Sequence, residues 1–67
     1  MAKFVLGDPP RTSNEAFEAL DRVFGGDEFS ANEAEEVLEE TLDISTSEAR
    51  NELRRLIRSG AVEEAYM

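Results

Sequence analysis

Apolar positions along the chain fall into three blocks with a helical period. Ala16, Phe17, Leu20, Val23 and Phe24 form the first, Ala34, Val37, Leu38, Thr41 and Leu42 the second, and Ala49, Leu53, Leu56 and Ile57 the third. Recurrence at i, i+4 and i+7 lines one face of a helix, so each block carries a single stripe and the three can share one core. The other faces of the second block carry Glu33, Glu35, Glu36, Glu39 and Glu40.

Each block is preceded by the same local device. Thr12-Ser13-Asn14-Glu15, Ser30-Ala31-Asn32-Glu33 and Ser45-Thr46-Ser47-Glu48 all place a hydroxyl three positions before a glutamate. In a capping box the hydroxyl accepts from the backbone N–H of the third helical residue, and the glutamate accepts from the N–H of the cap. Stops follow at Gly25-Gly26 and at Ser59-Gly60, since glycine adopts the left-handed conformation of a helix end. The pattern predicts helices over residues 13–24, 31–42 and 46–59.

Extended pieces flank them. Lys3-Phe4-Val5-Leu6 reads as a strand closed by Gly7, Asp8, Pro9 and Pro10, so residues 1–11 form an N-terminal strand and turn. Residues 61–66 read as a polar edge strand, and Glu28-Phe29 as a short extended stub before the second helix. The two terminal pieces are candidates to pair with each other. The expected class is mainly α with short β, in one domain over residues 1–67.

Composition narrows the chemistry. The 67 residues contain no cysteine and no histidine, which removes disulfides, thiolate metal sites, thiol nucleophiles and the usual general base. The chain is expected not to be an enzyme and to use no cofactor. Gly25-Gly26 is not followed by the Gly-Lys-Ser/Thr of a phosphate loop. The glutamate pairs 35–36, 39–40 and 63–64 match no EF-hand spacing, and a solvated acidic face is the expectation there, with no metal. Phe4 to Leu6 is too short an apolar run for a signal peptide or a membrane span, so no membrane association and a cytoplasmic location are expected.

The net charge is −9, from 16 acidic and 7 basic residues, and Lys3 is the only lysine. With 40% apolar residues the chain retains a core, unlike a disordered acidic tail. High Asp and Glu, little Lys and an intact core resemble the composition of a halophilic protein; an ordinary acidic surface is the alternative. Along the chain the charge is uneven: residues 25–43 hold eight acids and no base, whereas residues 44–67 balance.

The order helix, extended stub, helix, tight turn, helix, strand resembles the winged helix-turn-helix superfamily. The resemblance is carried by Asp27-Glu28-Phe29-Ser30, by Leu42-Asp43-Ile44-Ser45-Thr46-Ser47-Glu48-Ala49-Arg50, and by Leu53-Arg54-Arg55-Leu56-Ile57-Arg58-Ser59-Gly60-Ala61-Val62. It covers about residues 14–66 and implies a three-helix winged-helix-like domain. Asp43 stands where a glycine is common, and one strand follows the third helix, so the wing is reduced and the N-terminal strand is the available partner.

Under that resemblance the third helix is a recognition helix, entering the major groove of double-stranded DNA with its N-terminal residues at base edges. Arg50, Arg54 and Arg58 follow at i, i+4 and i+8, with Ser47 and Asn51 on the same side, and none of the three arginines has an acid at i±3 or i±4 in its helix. Thr46, Ser47, Arg50 and Asn51 would be base readers or phosphate clamps, and Arg54, Arg55 and Arg58 phosphate contacts. Arg55 has Glu52 within reach at i−3. Two alternatives stay open: a winged-helix protein–protein interaction module without nucleic-acid binding, and arginines that merely pair with the acids of the second helix. A charge of −9 opposes DNA at low salt, but at 1 M salt the screening length is about 3 Å and only contact-range groups count. The expected function is a small transcription regulator, a homodimer being one way to enlarge its footprint. Phe17, Phe24 and Phe29 read as core; Tyr66 is the aromatic left unassigned.

Overall fold

A computed structural model describes residues 2–65 of the chain. Its elements are β1 (Lys3–Leu6), α1 (Glu15–Phe24), α2 (Ala31–Leu42), α3 (Thr46–Ser59) and β2 (Val62–Ala65). The fold is therefore mainly α with short β, as the pattern predicts, and α2 and α3 have the predicted limits. Tyr66, at the end of the expected last strand, lies outside the described residues.

Local chemistry explains the limits. Ser30 Oγ accepts from the Glu33 N–H at 3.2 Å while Glu33 Oε1 accepts from the Ser30 N–H at 2.8 Å. Ser45 and Glu48 repeat the arrangement at 3.2 and 3.1 Å. The first box does not form. α1 begins at Glu15, two residues later than expected, because Asn14 caps it, its Oδ1 accepting from the Phe17 N–H at 2.9 Å. Asparagine caps as well as serine and better than threonine, and with Asn14 as cap Glu15 becomes the first helical residue rather than the third. Gly25 and Gly60 close α1 and α3 with φ of 55° and 88°. Asp43 closes α2 in the left-handed helical region that Gly60 also occupies, at φ 55°.

β1 and β2 pair antiparallel, with Lys3 opposite Ala65 and Leu6 opposite Val62. On its other side β1 meets the stub: Phe4 N–H donates to the Phe29 carbonyl at 2.7 Å and Phe29 N–H to the Phe4 carbonyl at 2.9 Å. β1 thus lies between Phe29 and β2. Gly7 follows it so closely against the chain after α3 that an added Cβ would stand 2.6 Å from the Gly60 carbonyl oxygen.

The core takes Ala16, Ala19 and Leu20 from α1, Ala34 and Leu38 from α2, and Ala49, Leu53 and Leu56 from α3, closed by Phe29, Ala61 and Val62. Phe29 is fully buried and stacks on Phe24 at 4.6 Å. Phe17 and Phe24 pack against this core, partly buried. Three stripe residues depart from the expectation: Val23 is 56% exposed, Ile57 is 39% exposed, and Thr41 is exposed. Val23 and Thr41 share the angular position of buried neighbours but lie near the ends of their helices, and Ile57 lies on the margin of its stripe.

Candidate nucleic-acid interface

α3 is held from both ends. A three-residue link from α2 turns at Asp43, the Ile44 N–H donates to the Glu39 carbonyl at 3.3 Å, and Ser45 caps the new helix. Ile44 packs against the core, which fixes where α3 begins. At the far end Gly60 turns the chain into β2, with Ala61 and Val62 buried beneath. Ala49, Leu53 and Leu56 face the core, so the opposite face looks outward.

All seven residues singled out in the sequence are exposed: Thr46, Ser47, Arg50, Asn51, Arg54, Arg55 and Arg58. Six lie away from the core-facing stripe, while Thr46 shares the angular position of buried Leu53, seven residues on, and is exposed as the first residue of the helix. Thr46 and Ser47 occupy the first turn. Arg50, Arg54 and Arg58 run in line along the helix, and Asn51 lies beside them. Arg55 belongs to the flank, where its guanidinium sits 3.7 Å from Glu52 as the i−3 spacing foretells. Pairs so exposed contribute about 0–1 kcal/mol; this one turns Arg55 toward Glu52 and out of the row.

The row itself is not uniform. Arg50 Nε lies 3.6 Å from Glu35 Oε2 on α2, whereas Arg54 and Arg58 have no ion pair among the described residues. Neither Glu39 nor Glu40 pairs with the row, so the acidic helix neutralises one arginine of three. α3 carries four arginines against two glutamates, and one of these, Glu48, is held by its cap.

Two residues of this surface are not among the sequence candidates. Glu35 follows buried Ala34 and occupies the margin of the α2 stripe, with its side chain 12% exposed. That margin position is its one sequence signal. Ile57, assigned to the core by its spacing, borders Arg54 at i+3 and adds an apolar group to the outward face.

Among the described residues no three acids converge to hold a metal ion, and no helix is long and apolar enough to cross a membrane. An open depression of about 400 Å³ between the start of α1 and the α2–α3 link is lined by Ser13, Asn14, Glu15, Ala16, Leu42, Ile44 and Glu52. The arginine row is not part of it. Comparison of the chain with protein-family models, with curated proteins and with solved structures returned no match.

Proposed function

We propose that this chain is a small DNA-binding domain of winged helix-turn-helix type, a transcription regulator that lays α3 in the major groove of double-stranded DNA. One observation carries the proposal: Arg54 and Arg58 stand in line with Arg50 on the exposed face of a capped helix, without carboxylate partners among the described residues. An arginine with no partner on its own chain is open to phosphate oxygens, which take most protein contacts to DNA. Thr46, Ser47, Arg50 and Asn51 lie toward the N-terminus of α3, the end that meets base edges in this mode of docking. β1 supports the same reading, since it stands beside β2 as the pairing partner that a single C-terminal strand lacks.

In this proposal the domain is no enzyme and works in a salt-rich cytoplasm. There, screening confines the acids of residues 25–43 to short range. Dimerisation doubles the contacted surface. A separate observation favours the rival, a protein-interaction module. Eight acids and no base over residues 25–43, beside a basic α3, make a two-signed surface suited to a charged protein. Fluorescence anisotropy with a mixed-sequence duplex between 0.1 and 2 M KCl separates them. Saturable binding is expected, and no binding at any salt would reject DNA as the partner.

A further inference from the structure

We infer that Glu35 is a positioning residue for Arg50, presenting its guanidinium to a guanine in the major groove; this rests on the DNA docking of α3 proposed above. The arginines of α3 differ in how they are held. Arg54 and Arg58 have no ion pair among the described residues, and Arg55 is paired along its own helix. Arg50 alone is tied to another helix.

The tie is built from packing. Glu35 and Arg50 each follow a fully buried alanine, Ala34 on α2 and Ala49 on α3, and the two helices pack against one another. The Glu35 side chain is only 12% exposed, so its carboxylate is placed by its surroundings, while Arg50 remains 58% exposed. With Arg50 this exposed the pair adds little to stability, and its effect is on where the guanidinium stands.

The contact is made at Nε, the inner nitrogen of the guanidinium. The end-on edge, with both terminal amino groups, is the fork that meets O6 and N7 of guanine. A side chain braced on its inner side has less freedom to lose on docking, and arginine's planar fork keeps that advantage. Arg50 is also the first arginine of α3, nearest the end that reads bases. The unbraced Arg54 and Arg58 suit phosphates, where position is less demanding.

Glu35 has an opposite effect on general affinity, because a carboxylate near the backbone repels phosphate. Glu35→Gln therefore leaves affinity for mixed-sequence duplex unchanged or raises it, while lowering discrimination at one G·C pair by about tenfold or more. A merely structural role would not produce that split.

The test is selection from a randomised duplex library with the wild-type chain, Glu35→Gln and Arg50→Lys, alongside anisotropy on mixed-sequence duplex and thermal melts. Arg50→Lys keeps the charge at an exposed position and removes the fork, so it reports even where Glu35→Gln weakens the fold. The wild type is expected to enrich a guanine that both variants flatten. Enrichment of the same guanine by Arg50→Lys, or by a folded Glu35→Gln, overturns the inference and leaves DNA binding standing. Duplex binding without any enriched guanine does the same. Failure of the wild type to bind any duplex rejects the DNA reading itself, and this inference with it.

Discussion

Phe4 and Phe29 exchange both backbone hydrogen bonds, at 2.7 and 2.9 Å, and their rings lie 6.4 Å apart. This bridge ties the N-terminal strand to the start of α2, and β2 then closes on the other side of β1. Phe29 also stacks on Phe24 and has no exposed surface. Removing a buried phenylalanine costs about 3–5 kcal/mol, whereas a 67-residue domain has roughly 3–10 kcal/mol in all. Phe29→Ala should abolish cooperative unfolding or bring its midpoint near ambient temperature. Phe29→Leu should leave a folded, weakened domain. Circular-dichroism melts distinguish these outcomes, and a near-wild-type melt for Phe29→Ala would refute the role given to the bridge.

The same relationships show what the chain discloses in one dimension. The limits of α2 and α3 are legible because Ser30 with Glu33 and Ser45 with Glu48 write their caps locally. The start of α1 is not, because Thr12 and Glu15 satisfy the spacing while Asn14, closer to the helix, competes and wins. Periodicity reports the angle of Val23 on its helix but not how far the neighbouring elements extend, so its exposure is invisible beforehand. The arginine row is legible, since it needs one helix only. The Arg50–Glu35 pair is not, since it depends on how two helices pack.

Asp43 occupies the left-handed region at the end of α2, at φ 55°. A non-glycine residue there carries a steric cost, and an acid at a helix C-terminus opposes the dipole by about 0.3–1 kcal/mol. Asp43→Gly relieves both, against some added freedom in the unfolded chain. It should stabilise the domain by about 1 kcal/mol, raising Tm by roughly 4–8 °C. Asp43→Asn should recover only the electrostatic part. A lower Tm for Asp43→Gly would contradict the account.

Glu33 titrates below the ordinary carboxylate range, chiefly because the Ser30 backbone N–H donates to it; desolvation opposes this, and the Ser30 side chain and the charge of Lys3 add smaller lowering effects. A depressed folded pKa means that its stabilisation is present above the unfolded value, about 4.3. It is lost as pH falls through the lower folded value. Glutamine keeps the cap geometry without titrating. The stability difference between wild type and Glu33→Gln should therefore be seen above about pH 4.3 and vanish in stronger acid. A difference that grows in acid would reverse the sign and refute the assignment.

Glu35 with Glu39, and Glu36 with Glu40, stand at i, i+4 on α2, and no base lies between residues 25 and 43. Each like-charged pair at that spacing destabilises a helix by about 0.2–0.5 kcal/mol. Raising KCl from about 0.1 to 1 M shortens the screening length from about 10 to about 3 Å, so the unfolding midpoint should rise. Glu36→Gln should rise less. A midpoint independent of KCl would show that crowding of acids on α2 does not limit stability.

In the proposed docking the arginine row of α3 meets the phosphates of DNA, and that contact is read from the salt dependence of duplex affinity. Each phosphate neutralised contributes a slope of roughly −0.9 in log K against log salt. The acids of residues 25–43 should make the observed slope shallower, because salt also relieves their repulsion. Replacing Arg54 and Arg58 with alanine should weaken binding and flatten the slope by about 1 for each phosphate left without its arginine. Equal affinity and equal slope for the wild type and the double variant would contradict that docking.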